Sequence, residues 1–183
     1  MKYTKYIIVA FIIVVLLVIG LMLKGPADSV SQQNQTTPIQ HLYVSWDTME
    51  FDKCVSAWLI VRFIDKDAKF VFYPQGTEIT EGTVFDVPGA QWSRKHRKCT
   101  SQCILEEIDV NDPAVRQIID IAGKVELNFW QLDRWPLAQK CFYEVKEITD
   151  QTSDPLECFK KSRPYFDKLY KNFKRGDADD DNI

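Results

Sequence analysis

A strand, a helix and a second strand follow one another early in the chain, and this succession limits the folds open to it. The segment His41 to Trp46 has the composition of a strand, a helix then runs to about Ile64, and Lys69 to Tyr73 is a second strand ended by Pro74. A strand, a helix and a strand within about 30 residues are typical of a βαβ unit with parallel strands. The sequence therefore predicts a small α/β domain.

The predicted helix has a start signal and one apolar face. Asp47, followed three residues later by Glu50, predicts a capping box. Apolar residues at i, i+3, i+4 spacing predict the inward face, which comprises Phe51, Cys54, Val55, Trp58 and Leu59, with the stem of Arg62.

Turn and capping residues divide the rest of the domain. A third strand is expected at Thr83 to Val87, where Pro88-Gly89 ends it. A short helix is expected at Ser101 to Ile108. A second helix is expected from Asp112-Pro113 to about Ala122, where Gly123 ends it. After Asp154-Pro155, two short helices separated by Pro164 are expected. The predicted fold is a single α/β domain over residues 41–174, with a βαβ-type core and several C-terminal helices.

An apolar segment precedes this domain. Ile7 to Leu23 are seventeen residues without a charge. This length is at the lower limit for a membrane-spanning helix and is long for the apolar region of a signal peptide. Lys2 and Lys5 lie before it, so residues 1–6 are expected in the cytoplasm and the domain outside, in a single-pass membrane protein. A cleaved signal, which would leave a secreted or periplasmic domain, is the alternative, and a buried core helix is the third interpretation.

Two polar segments flank the predicted domain. Residues 24–40 contain Pro, Ser, Thr, Gln and Asn and are expected to be a flexible linker. The end of the chain, residues 175–183, is acidic and is expected to be disordered. The net charge of −3 at pH 7 argues against nucleic acid as a partner, and hydrophobic residues at 45% are enough for a core.

Polar residues at the start of the first helix suggest a binding site. Asp52 and Lys53 come soon after the first strand, where ligands collect in open α/β sheets, and Arg62 lies on roughly the same helix face as Asp52. The alternative is that Asp52 is a first-turn acid favoured by the helix dipole.

Four fixed cations stand in the run Arg94 to Lys98, directly before Cys99 and the predicted helix from Ser101. A basic loop that leads into a helix N-terminus can bind an oxyanion such as chromate, sulfate or phosphate. It could equally meet anionic lipid headgroups or be a solvated loop.

Five cysteines occur, and the odd number leaves at least one thiol free or paired between chains. Cys99 and Cys103 are four residues apart beside the cations, which would lower their thiol pKa and favour redox chemistry or soft-metal binding. The alternative is that they are core or disulfide cysteines.

Ordered matches give the chain a resemblance to one family. The helix matches at Asp52, Ser56 to Ile60 and Arg62 to Asp65; further matches are Asp67-Ala68, Phe70, Phe85-Asp86, Gly89-Ala90, Cys99-Thr100 and Asp112-Pro113-Ala114. Between about Trp46 and Val125 the chain resembles the C-terminal domain of ChrB-type chromate-resistance proteins. The resemblance implies a role in resistance or response to chromate or a related stress.

The chain departs from that family at two histidine positions. The family has a His shortly before the Cys, where this chain has Trp92-Ser93-Arg94, and another where this chain has Gly123. His, Cys and acidic groups suit a transition metal. The metal-ligand candidates here are His96, Cys99 and Cys103, and no cofactor is indicated.

Three functional hypotheses follow. The first is a module that binds an oxyanion or metal ion through Asp52, Lys53, Arg62 and Asp86, with Arg94, Arg97 and Cys99 nearby. The second is a thiol-based redox enzyme that uses Cys99. The third is a non-catalytic module whose basic loop docks to lipid or a partner protein. The sequence has no nucleophile elbow, no phosphate-binding Gly loop and no metalloprotease helix, which favours a non-enzymatic role without deciding it.

Overall fold

The computed structural model describes residues 41–176, and these begin with a sheet of three parallel strands. The strands are β1 (Leu42–Trp46), β2 (Lys69–Tyr73) and β3 (Thr83–Val84), in the order β2-β1-β3. Trp46 lies opposite Tyr73, and Val44 lies opposite Val84. The mixed α/β fold and the parallel β1–β2 pair are confirmed, whereas β3 is shorter than predicted.

The strand β3 reaches β1 because residue 82 has no side chain. Gly82 has a positive φ of 68°, and a Cβ there would lie 2.7 Å from Cγ2 of Val44. The connection from β2 is held by the Trp46 indole, which donates to the carbonyl of Thr77 at 2.9 Å. All three strands therefore end at the same edge of the sheet.

Helix α1 (Phe51–Leu59) is buried along its whole length and continues into a π-helical turn, Ile60–Ile64. A helix surrounded by packing on all sides belongs to the core. The predicted capping box is wrong: Glu50 is the N-cap residue but makes no side-chain cap, and the Asp47 carboxylate accepts instead from the Gln75 backbone N–H at 3.1 Å.

The remaining helices pack around α1. They are α2 (Thr100–Glu107), α3 (Pro113–Leu127), a 3₁₀ segment (Phe129–Arg134), α4 (Pro136–Thr149) and α5 (Pro155–Arg175). The predicted Asp-Pro starts are confirmed: Asp112 accepts from the Ala114 N–H and Asp154 from the Leu156 N–H, both at 2.9 Å.

Two predicted helix ends are wrong. Gly123 does not stop α3 but lies inside it, where a Cβ would come within 2.6 Å of the Gln102 amide nitrogen. Pro164 lies inside the single helix α5. Phe159 before it and Phe166 and Leu169 after it are all buried, and this packing outweighs the hydrogen bond that the proline removes.

The segments predicted from sequence at residues 1–6, 7–23 and 24–40, and the tail after residue 176, lie outside the described residues. Between residues 41 and 176, no helix combines the length and the apolar character that crossing a bilayer requires.

Candidate functional site

A cavity of about 470 Å³ opens at the carboxyl end of the sheet. Trp46 at the end of β1, Gln75 after β2 and Asp86 after β3 all line it. The start of α1 and two further charged residues also line it: Glu50, Asp52, Lys53, Arg94 and Glu126. Ligands bind at this end of the strands in open α/β folds, so the cavity is the candidate site.

Asp52 joins α1 to the N-terminus of α2. Its side chain is buried, and its carboxylate accepts from the backbone N–H groups of Thr100 at 2.7 Å and Ser101 at 3.2 Å. Burial raises the pKa of Asp52, the hydrogen bond from Ser101 lowers it, and the nearby charge of Asp86 raises it again. The carboxylate therefore satisfies two donors that α2 cannot satisfy itself.

Asp86 and Lys53 form an ion pair beside Asp52. Asp86 has a positive φ of 53°, a conformation that aspartate tolerates better than most residues. It accepts from the Thr100 hydroxyl and lies 3.5 Å from the Lys53 ammonium, which donates to the Trp46 carbonyl at 2.8 Å. Lys53 is only 4% exposed, so a cation is fixed inside the wall of the cavity.

Glu126, near the end of α3, faces the start of α1 and pairs with Arg94. Arg94 Nη2 donates to Glu126 Oε2 at 2.7 Å and to the Glu126 carbonyl at 3.1 Å. Burial, followed by the negative charges of Asp52 and Glu50, raises the pKa of Glu126 to about 7, and Arg94 opposes this rise. Sequence reasoning missed Glu126, which contacts α1 from 74 residues away.

Several N–H donors that line the cavity have no hydrogen-bond acceptor among the described residues. Among the described residues, Arg94 bonds through Nη2 alone, which leaves its Nε and Nη1 hydrogens free. The Lys53 ammonium contacts Trp46 and Asp86, which leaves one of its three N–H groups unused. The Gln75 side-chain amide nitrogen has no acceptor among residues 41–176. The carboxylates of Asp52, Asp86 and Glu126 already have donors. Such spare N–H groups can donate to an anion, which would also face the carboxylates of Glu50, Asp52, Asp86 and Glu126 in the same wall.

Four of the six predicted ligand-binding residues line this cavity, namely Asp52, Lys53, Asp86 and Arg94. Arg62 does not line it, because it lies in the π-helical turn after α1, where it pairs with Asp167 at 2.7 Å and stacks over Tyr170 at 4.3 Å. Arg97 is exposed and borders a different cavity, beside α2.

The metal-ligand candidates do not form a cluster. His96 is exposed, whereas Cys99 and Cys103 are buried. Between residues 41 and 176, no three His, Cys, Asp or Glu side chains are arranged to hold a metal ion.

All five cysteines are buried, and none of them forms a disulfide. Burial, followed by the negative charge of Asp52, raises the pKa of Cys99 to about 12. Burial also raises the pKa of Cys103, although Lys95 and Lys98 oppose the rise. The prediction that the basic loop lowers these pKa values is wrong, because loss of hydration outweighs the nearby cations.

The native thiols should therefore react slowly. We expect a disulfide reagent at pH 8 to modify all five cysteines on the order of 100-fold more slowly in the folded chain than in urea. A Lys95→Cys variant, which places an exposed thiol in the same loop, is the control and should react at once. Rapid reaction of one native thiol would contradict the burial and would revive the redox hypothesis.

Comparison with known proteins gives one result. Residues 43–173 match the family model described as "ChrB, C-terminal domain", while no curated protein and no solved structure matches the chain. The match covers more than half of the 183 residues and contains every described residue of the candidate site. The chain thus belongs to the ChrB C-terminal domain family.

Proposed function

We propose that this domain serves chromate resistance or a related stress response by binding a small oxyanion in the cavity at the carboxyl end of the sheet. The observation that carries the proposal is the set of spare N–H donors on Lys53 and Arg94 beside carboxylates that already have partners. Family membership supports the broader role, because ChrB proteins are chromate-resistance proteins.

The two cations play different parts in the proposed site. Lys53 is buried and held by Trp46 and Asp86, so its position is set before the ligand arrives. Arg94 is 53% exposed, and its Nε–H and Nη1–H groups can each donate a charge-assisted hydrogen bond to an anion. Asp52 has no direct role in binding, since it fixes α2 and, through Thr100, the position of Asp86.

The membrane anchor predicted at residues 7–23 is part of the same proposal. An uncleaved anchor would hold the domain at the outer face of the cytoplasmic membrane, where it would meet an incoming oxyanion before the cytoplasm does. The uncharged run of seventeen residues and the preceding Lys2 and Lys5 support this placement.

Sulfate is the first probe, since it carries the charge and shape of chromate without oxidising thiols. We expect sulfate to raise the thermal unfolding temperature of the purified full chain, because a ligand bound only by the folded state stabilises it. Arg94→Gln should weaken sulfate binding by roughly 10- to 100-fold, the usual effect of losing a charge-assisted hydrogen bond. Lys53→Met should weaken it as well.

Arg97→Gln is the matched control, because it removes the same charge from the same loop but borders another cavity. This variant should bind sulfate as the wild-type chain does. If both arginine variants lose sulfate affinity equally, the binding depends only on the overall positive charge of the loop and not on the assigned site. Full retention of sulfate binding in Arg94→Gln would refute the assigned site. Chromate binding is compared with sulfate binding in a separate experiment, under non-reducing conditions.

A further inference from the structure

An exposed aromatic patch borders a second cavity, of about 450 Å³, which Phe129 and Phe142 line together with Arg94. Within residues 41–176, the exposed large hydrophobic side chains are Phe129, Trp130 and Tyr143, at 55%, 73% and 58% exposure. Phe142 joins them, as its ring centroid lies 5.1 Å from that of Phe129 and 5.2 Å from that of Tyr143. Trp130 follows Phe129 directly in the chain, and these four residues are called the aromatic patch below.

The packing of the domain does not account for this exposure. Helix α4 buries Ala138, Cys141 and Val145, which form one stripe along the helix, and Tyr143 lies on the opposite side. The 3₁₀ segment before α4 buries Leu132 and leaves Phe129 and Trp130 in solvent. Three exposed aromatic side chains grouped around the half-buried Phe142 indicate a contact surface rather than a scatter of single residues.

A membrane surface is the partner that fits the patch. Trp and Tyr rings accumulate where lipid headgroups meet hydrocarbon, because each ring has an apolar body and one polar group. The apolar run ends at Leu23, and the seventeen residues 24–40 can span at most about 60 Å when fully extended. A domain on that tether stays close to the bilayer, so a weak interfacial contact is enough to orient it.

We propose that the aromatic patch rests on the bilayer surface beside the anchor, with Trp130 inserted into the interface. This inference rests on the anchoring proposed above and is independent of oxyanion binding. It also differs from docking through the basic loop, since contact made by rings persists at high salt, whereas attraction between the loop and anionic headgroups is screened.

Trp130 provides its own reporter. The full chain is reconstituted into phosphatidylcholine vesicles at high salt, with acyl chains that are either brominated near the headgroup or unmodified. We expect bromine to quench part of the tryptophan emission of the wild-type chain, and Trp130→Phe to lose that quenched part. Trp92→Phe, which removes a half-buried indole stacked on Tyr43, should leave the quenched part unchanged.

A second variant tests the patch without removing the reporter. Phe129→Ser combined with Tyr143→Ser retains Trp130 and should reduce its quenching, while flotation with vesicles stays at the wild-type level because the anchor is intact. Equal quenching in wild-type and Trp130→Phe chains would overturn the proposal. The proposal would also be overturned if the chains float with the vesicles but Trp130 is not quenched. Cross-linking that shows the patch buried against a second copy would explain such a result. Failure of the wild-type chain to float would overturn the anchor and the patch proposal together, and would leave sulfate binding unaffected.

Discussion

Replacing Asp52 by alanine should destabilise the domain by about 3 kcal/mol, because the change leaves two backbone donors buried without acceptors. The Thr100 and Ser101 N–H groups at the start of α2 have Asp52 as their acceptor, and the carboxylate that they share is 5% exposed. Thr100 and Ser101 are themselves fully buried, so their N–H groups would lose their acceptor away from solvent. Urea denaturation of the full chain, monitored by far-ultraviolet circular dichroism, measures the loss.

Asp154→Ala is the matched control for this variant. Asp154 also accepts from two backbone N–H groups, those of Leu156 and Glu157, but it caps α5 at an exposed position where water can take over. That substitution should cost about 1 kcal/mol, a common value for an N-cap aspartate. If the two alanine variants lose equal stability, burial of the Asp52 contacts is not what makes them strong, and the role of Asp52 in fixing α2 fails.

Local chemistry explains which parts of this fold could be predicted from sequence. The strands β1 and β2 have alternating or β-branched and aromatic residues, and Asp112 and Asp154 stand directly before prolines, so each signal lies within a few residues of the element it specifies. Helix α4 went unpredicted although Pro136 opens it. Its buried stripe consists of small and isolated residues, which give a weak periodic pattern.

The site was predicted in part for the same reason. Asp52, Lys53 and Asp86 follow strands, and the carboxyl ends of parallel strands meet at one edge. Arg62 was grouped with Asp52 by helix face alone, yet ten residues of helix separate them by about 15 Å along the axis. Glu126 belongs to a helix far along the chain, and only the packing of α3 against α1 brings it to the cavity.

Gly123 illustrates the limit of reading one residue at a time. Glycine near a helix end is a common stop signal, and the sequence offers no reason to reject it. In the structure the missing side chain makes room for Gln102, whose amide oxygen accepts from the Cys99 N–H at 3.0 Å and helps to cap α2. Its role depends on a neighbour that lies on another helix.

The domain should lose stability as pH rises from about 4.5 to 8, and Glu126 should account for a large share of the loss. Its pKa is about 7 in the folded chain, against 4.5 for an ordinary glutamate. The folded chain therefore binds more protons than the unfolded chain in this range, so the free energy of unfolding falls with rising pH. With the Glu126 side chain only 13% exposed, the pKa difference corresponds to about 3 kcal/mol.

A Glu126→Gln variant removes this titration while it keeps an oxygen that can accept from Arg94. We expect it to match the wild-type chain in stability near pH 4.5 and to exceed it by about 2–3 kcal/mol at pH 8. Urea denaturation at several pH values measures both curves. Glu106→Gln is the control, since Glu106 also pairs with a cation of the basic loop, Lys98 at 2.6 Å, but is 57% exposed, and its curve should run parallel to wild type.

The same proton should govern the proposed ligand. Ionised Glu126 repels an anion bound beside it at Arg94, and protonation removes that repulsion, so sulfate should bind the wild-type chain more tightly at pH 6 than at pH 8. Sulfate keeps its charge across this range, which assigns the change to the protein. Binding to Glu126→Gln should vary much less with pH. If sulfate binding to the two chains varies with pH in the same way, Glu126 does not affect the ligand. If their stability curves are parallel, the pKa of Glu126 is near its ordinary value. The two measurements test the same carboxyl group independently, because one follows ligand binding and the other follows folding.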